Sequence, residues 1–171
     1  MNRFAIRAGL AAIAASFVAL APAAAAQPFF DRFDGSWRGT GQVQRDIDPA
    51  PRSVKCSLSG KRNGPNSMSI AGTCRAAVIF SRKIGADLTF DPKTQRFTGN
   101  YTGSSTGPAT LSGRLRGERL VLEITYAKVV YGDRKAVMTI SNPGSKNFSM
   151  AVTDKVNGRD KQTSSLSFSR N

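Results

Sequence analysis

The two cysteines are the residues of this sequence with the greatest capacity for covalent chemistry. Cys56 and Cys74 lie 18 positions apart, and both fall on the apolar side of adjacent predicted strands. An even number of cysteines in an exported chain favours a disulfide, which for a loop of this length contributes about 3 kcal/mol of stability. Because histidine and Cys-x-x-Cys pairs are absent, the cysteines are a poor metal shell or redox site. We therefore predict a structural Cys56–Cys74 disulfide and no metal site.

The residue types that most often perform catalysis are largely missing. The absence of histidine removes the commonest general base and the usual partner of a nucleophilic serine. Glu123 and Asp87 would suit glycoside hydrolysis as a pair across the sheet, but alternation places both on the solvent side of their strands. The glycine-rich segment 103–107 has no following lysine, so it indicates a flexible hairpin tip rather than a phosphate loop. The sequence predicts no catalytic residue, no cofactor and a protein that is not an enzyme.

Basic side chains are the most distinctive polar residues of the chain. Lysine and arginine number 25 against 11 acidic residues, which gives a net charge of +14. Five basic residues on outward strand positions form a candidate anion-binding face: Arg38, Lys55, Arg96, Arg114 and Arg116. Arginine presents paired donors to phosphate and carboxylate, so such a face would attract anionic lipid or polysaccharide. The alternative is that the charges only keep the protein in solution. Nucleic acid is not expected, because the phenylalanines that would stack on bases fall on inward positions.

Alternation of apolar and polar residues with a period of two runs through the chain after residue 27, and no helical period appears there. Examples are Val54-Cys56-Leu58, Leu120-Leu122-Ile124 and Phe148-Met150-Val152. One buried face and one solvent face are typical of antiparallel sheet. Counting such runs predicts about ten strands.

Turn-forming residues separate these strands, as at Asn142-Pro143-Gly144 and Asn157-Gly158. Residues 46–52, which include two prolines, predict a long loop after the first strand. Strands of similar length joined by short turns predict an all-β fold, an antiparallel up-and-down β-barrel of about 8–10 strands, with a β-sandwich as the alternative.

The amino-terminal residues have the pattern of a secretory signal. Arg3 and Arg7 precede an apolar stretch, and an Ala-x-Ala site ends at Ala26. The apolar stretch is shorter than the roughly 20 residues that span a bilayer, so at most peripheral membrane contact is expected. The prediction is a signal peptide at 1–26 and a single domain at 27–171. Removal of the signal lowers the net charge from +14 to +12, and the protein is expected in the bacterial periplasm or outside the cell.

The start of the first strand, Phe33-Asp34-Gly35-Ser36-Trp37, resembles the Gly-x-Trp motif of the calycins, the lipocalin- and avidin-like barrels. With one cysteine in the next strand and another in its partner, residues 33–74 are also similar to bacterial periplasmic protease inhibitors of that superfamily. The resemblance implies a barrel that binds a partner, with Trp37 closing one end.

Three functional hypotheses follow. The first is a non-catalytic exported barrel that binds an envelope component, either an anionic lipid or polysaccharide on its exterior or a small apolar ligand in its mouth. The second is a calycin-like protease inhibitor, in which a barrel end or residues 27–33 insert into a protease. The third is an enzyme. An apolar cavity with an open mouth would favour ligand binding, whereas a filled core would exclude it.

Overall fold

The computed structural model describes residues 26–77, 80–144 and 146–171, so residues 1–25 of the predicted signal peptide lie outside the described residues. Within the described part, no helix has the length and hydrophobicity needed to cross a membrane. The elements in chain order are α1 (Ala26–Asp31), β1 (Gly35–Val43), β2 (Arg52–Gly64), β3 (Ser67–Ala76), β4 (Phe80–Asp91), β5 (Arg96–Tyr101), β6 (Ala109–Arg116), β7 (Arg119–Val130), β8 (Asp133–Ser141), β9 (Asn147–Val156) and β10 (Arg159–Arg170).

The ten strands form one closed antiparallel barrel. Each strand pairs with its neighbours in sequence, and β1 pairs with β10, for example Gly39 with Phe168. Closure satisfies the backbone groups that an open sheet would expose at its edges. The predicted all-β up-and-down barrel is therefore confirmed with ten strands, and the sandwich alternative is wrong because a single sheet closes on itself.

Two hairpin turns show how local sequence sets the strand connections. Asn157 and Gly158 have φ of 52° and 76°, and Tyr131 and Gly132 have φ of 53° and 102°. Positive φ at both central residues matches the twist of the flanking strands. Asparagine and glycine adopt this backbone readily, but a bulky tyrosine does so rarely. The β7–β8 turn therefore holds Tyr131 in a conformation that its own side chain disfavours.

Inward residues of the strands fill the barrel with apolar side chains. Leu120, Leu122, Ile124 and Met138 are among the most deeply buried of them. Glycines on β1 let neighbouring strands approach closely, since a Cβ at Gly39 would lie 2.3 Å from the Phe168 ring. The apolar positions of the alternation therefore form the core, and the polar positions face the solvent.

Aromatic side chains close the end of the barrel at which β1 begins. The helix α1, which alternation did not predict, packs Phe29 and Phe30 into this end, where they are 2% and 1% exposed. Both rings contact Phe97, and Trp37, fully buried, donates from Nε1 to the Phe33 carbonyl at 2.8 Å. The structure therefore places Trp37 at the closed end of the barrel.

A bulge in β10 changes the alternation near the opposite end. The pairing with β9 shifts between Gln162 and Ser164, and Thr163 becomes buried although it is out of step with Leu166 and Phe168. Bulges commonly redirect a side chain in this way. Here the Thr163 hydroxyl points to the Asp154 carboxylate.

Candidate functional site

The cysteines form the predicted disulfide. Cys56 of β2 and Cys74 of β3 are directly opposite in register, and both side chains are buried. The disulfide therefore ties two adjacent strands on the core side of the sheet. In the described residues, no group of three side chains is arranged to hold a metal ion.

The five residues of the candidate anion-binding face divide into two groups. Arg38 and Lys55 lie on the adjacent strands β1 and β2. Arg96 is on β5, and Arg114 and Arg116 are on β6, on the far side of β3 and β4. All five are exposed, but the structure does not bring them together as one face.

The second group makes local hydrogen bonds. Arg96 donates to the Ser112 hydroxyl at 2.9 Å, and Arg114 donates to the Gln95 carbonyl at 3.4 Å. These contacts hold the side chains along the sheet surface.

The two acidic residues considered for catalysis do not form a pair. Asp87 lies on β4 and Glu123 on β7, with β5 and β6 between them. Asp87 accepts a hydrogen bond from Ser69, and Glu123 forms an ion pair with Lys135. Both are outward, solvated carboxylates, as their position in the alternation indicated.

A cavity occupies the open end of the barrel, opposite α1. Its volume is about 180 Å³. Apolar side chains line its depth, among them Val43, Ile84, Met150 and Leu166. A smaller cavity of about 50 Å³ lies further inside, and Ile84 and Met150 line both. The interior is therefore mostly filled, with free space concentrated below the mouth.

Arginines surround the mouth of this cavity and are organised by one carboxylate. Asp48 of the β1–β2 loop has a buried side chain and accepts from Arg45 at 2.7 Å and from Arg52 at 2.9 Å. The Arg45 hydrogen bonds hold the pKa of the Asp48 carboxyl well below its usual range. Across the mouth, Arg82 donates to the Ser104 carbonyl. The lining of the mouth thus includes three guanidinium groups and the ionised carboxylate of Asp48.

The segment predicted to be a flexible hairpin tip is partly ordered at this mouth. Ser104 is buried, and its hydroxyl accepts from the Thr106 backbone at 3.2 Å. Gly103 lies against the Tyr101 hydroxyl, which a Cβ at that position would meet at 2.0 Å. The segment therefore forms one wall of the cavity.

A polar cluster is buried beside the cavity. Asp154 of β9 accepts from the Tyr126 hydroxyl at 3.0 Å and from Thr163. Burial raises the pKa of the Asp154 carboxyl, although these two hydrogen bonds oppose the shift. Burial also raises the pKa of Tyr101, whose side chain lines the cavity, to about 12. The Tyr101 phenol, like that of an unperturbed tyrosine, is protonated near neutral pH and can donate a hydrogen bond into the cavity.

The β7–β8 hairpin extends over this polar cluster. Tyr131 at its tip donates to the Gln44 carbonyl at 2.9 Å, which links the hairpin to the end of β1. The Gln44 side-chain Oε1 is buried and has no hydrogen-bond partner among the described residues. The open end thus contains a buried polar atom without a hydrogen-bond partner, which the closed end lacks among its described residues.

The sequence patterns did not predict which residues line the mouth. Asp154 continues the inward alternation of Phe148, Met150 and Val152, so that pattern would have revealed a buried acid. Asp48 lies in a loop, where alternation carries no information. The bulge redirects Thr163 toward the interior, and no residue type in the sequence predicted a bulge at this position.

Comparison with known proteins supports the fold. No protein-family model and no curated protein matches this sequence. Rv2717c from M. tuberculosis is similar in structure, with a TM-score of 0.64 and 16% identity over 89% of this chain and 99% of that one. The S-type phycobiliprotein lyase CPES from Guillardia theta is similar with a TM-score of 0.57 and 17% identity, over 84% and 90%. At these identities the likeness shows the fold alone, a closed antiparallel β-barrel.

Proposed function

We propose that this chain is an exported, non-catalytic barrel that binds a small amphipathic anion at its open end. The apolar part of the ligand enters the mouth cavity, and its acidic group contacts the arginines at the rim. The observation that carries this proposal is the 180 Å³ apolar cavity beneath a cationic mouth. Export rests on the signal pattern of residues 1–26.

The size of the cavity limits the ligand. Pockets for drug-sized molecules have volumes of roughly 300–1,000 Å³, whereas a cavity of about 150 Å³ accepts benzene. At about 180 Å³, this cavity has room for one ring or a short alkyl chain. A larger lipid would insert only its end and leave the remainder in solvent.

The charge of the mouth selects the polar group of the ligand. Arg45, Arg52 and Arg82 outnumber the carboxylates near them, which are those of Asp48 and, beside Arg45, of Asp46, so the rim retains a positive charge. Guanidinium groups bind carboxylate and phosphate through paired hydrogen bonds. Tyr101 supplies a further donor inside the mouth. An acidic head group complements this arrangement, and a cationic one does not.

Sodium octanoate is a suitable probe, and its binding can be measured by isothermal titration calorimetry. Ala76 lines the mouth cavity, whereas Ala71 is exposed on the outer side of the same strand. Ala76→Phe fills the cavity and should weaken octanoate binding by about tenfold or more, which corresponds to a loss of about 1.4 kcal/mol of binding free energy. Ala71→Phe, the matched control, should bind as the unchanged protein does. Equal affinities in the two variants would exclude the cavity as the site.

A second experiment tests whether the arginines at the rim recognise the acidic group of the ligand. The double variant Arg52→Gln/Arg82→Gln should weaken octanoate binding while leaving the binding of octanol, which has no charge, nearly unchanged. An equal loss for both probes would show that these arginines shape the cavity rather than recognise an acid.

Protease inhibition through the amino-terminal segment has less support. Phe29 and Phe30, the side chains that would insert into a protease, are packed inside the barrel. Releasing them would open the closed end.

A further inference from the structure

A second concave surface lies on the outside of the barrel, away from the mouth. This outer groove is an open depression of about 1,770 Å³ that crosses β8, β9, β10, β1, β2 and β3, which are consecutive in the barrel. Six strands at a spacing of about 4.8 Å give it a length of roughly 24 Å. The groove is far larger than the mouth cavity and open along its length, so it suits an extended chain.

Small polar side chains line most of the outer groove. Hydroxyl groups come from each of several neighbouring strands, with Thr40, Ser57, Thr73, Ser149, Ser167 and Ser169 as examples. Gly41 and Gly72 lie at inward positions beneath the groove, where a Cβ would meet a backbone oxygen of the adjacent strand at 2.0 Å, so their strands approach closely. The lining therefore offers outward hydrogen-bonding side chains on closely spaced strands.

Three cations lie along the groove without an acidic partner. Arg38, Lys55 and Arg75 line it, and no aspartate or glutamate does so among the described residues. None of the three side chains makes a hydrogen bond or ion pair with another described residue. Lys55 and Arg75 are also directly opposite in register. Like charges in that position destabilise a sheet, so the fold itself gains nothing from this pair.

The groove does not fit the other common anionic partners. The four exposed large apolar side chains among the described residues, Ile47, Phe80, Val129 and Val137, all lie outside it, so it has nothing to insert into a bilayer. Its aromatic lining residues, Phe148 and Phe168, are buried and cannot stack on nucleic acid bases.

We propose that the outer groove binds an extended acidic polysaccharide. Its carboxylate groups contact Arg38, Lys55 and Arg75, and its hydroxyl groups bond to the serine and threonine side chains between them. This site is independent of the mouth cavity, so octanoate binding and polysaccharide binding should not compete.

Binding to polygalacturonate, with neutral dextran as the control polymer, tests the proposal in the full chain. The triple variant Arg38→Gln/Lys55→Gln/Arg75→Gln should weaken polygalacturonate binding by about tenfold or more, since charge-assisted contacts are lost. The matched control Lys93→Gln/Arg119→Gln/Arg159→Gln removes the same charge from exposed positions outside the groove. It should change the affinity by less than about twofold at physiological salt, where the screening length is about 8 Å.

A bulky substitution tests whether the shape of the outer groove, apart from its charge, is needed for binding. Thr40 is exposed on β1, where an aromatic residue is compatible with a strand, so Thr40→Trp should fold normally and obstruct the groove. It should weaken polygalacturonate binding with no change of charge and no change in melting temperature.

Four results would overturn the proposal. Equal losses in the two triple variants would show attraction to net charge alone. Normal binding by Thr40→Trp would remove the groove from the binding surface. A loss that follows Arg114→Gln/Arg116→Gln instead would place the anion site on β6. Binding to vesicles of phosphatidylglycerol and phosphatidylcholine, without binding to polygalacturonate, would identify a membrane as the partner.

Discussion

The two ends of the barrel are built from different kinds of residue. At the closed end, Phe29 and Phe30 pack edge to face against Phe97, and Trp37 packs edge to face against Phe148. No described polar side-chain atom is buried there without a partner. The open end contains Asp48, Asp154, a tyrosine with positive φ and an unpaired glutamine oxygen. Buried carboxylates and unpaired polar atoms lower stability, and folded proteins retain such groups most often at functional sites. The comparison assigns stability to the closed end and supports the ligand site that we propose at the open end.

The sharpest test exchanges one phenylalanine at each end for alanine. Phe30 is 1% exposed and Phe80 is 56% exposed. Phe30→Ala should lower the free energy of unfolding by about 4 kcal/mol, because it leaves a cavity in the aromatic plug. Phe80→Ala should lower it by less than about 1 kcal/mol. Urea denaturation measures both, and similar losses would contradict the division between the ends.

The disulfide provides the next largest effect. Replacing Cys56 and Cys74 by alanine should lower the free energy of unfolding by about 3 kcal/mol, the value for an 18-residue loop. Octanoate binding should persist at temperatures where the variant remains folded, because Cys74 contributes only part of the cavity lining. An unchanged melting temperature would show that the bond contributes nothing to stability. Loss of binding in a folded variant would give it a functional role.

The two buried carboxylates of the open end should respond to pH with opposite signs. The depressed pKa of Asp48 means that its contribution is present above the unfolded value of about 3.9 and is lost as pH falls below it. Asp48→Asn should therefore cost about 2 kcal/mol at neutral pH and less in acid. The raised pKa of Asp154 means that the folded state holds its proton more tightly, so stability falls as pH rises from about 3.9 through the raised value.

Urea denaturation between pH 3 and pH 8 measures both effects. Relative to Asp154→Asn, which cannot titrate, the unchanged protein should lose stability as pH increases. A difference between these two proteins that stays constant with pH would show that Asp154 is not perturbed.

The smallest expected effect concerns the hairpin that extends over the open end. Tyr131→Phe removes the hydrogen bond to the Gln44 carbonyl and should cost about 1 kcal/mol, with faster amide hydrogen exchange near the hairpin tip. Tyr101→Phe is the matched control, because the Tyr101 hydroxyl has no hydrogen bond to the described residues. Equal exchange rates at the tip in both variants would mean that this contact does not hold the hairpin.

Much of the fold could be predicted from short stretches of sequence. The alternation of Leu120, Leu122 and Ile124 and the turn residues Asn157 and Gly158 require only neighbouring residues, so strand number, strand faces and the position of this turn followed directly. The Cys56–Cys74 pairing was predictable because both residues lay on the inward side of consecutive strands. The helix α1 was missed because a six-residue helix is too short to display a helical period.

The sequence by itself determined the all-β class, the basic charge and which side of each strand is buried. These properties depend on residue type and on a local period of two. Only the tertiary structure decided that Arg38 and Lys55 lie apart from Arg96, Arg114 and Arg116, because that depends on strand order around the barrel. Closure also decided where space remains. Cavity volume is the small difference between the enclosed volume and the side chains that fill it, and that difference depends on the register of all ten strands together.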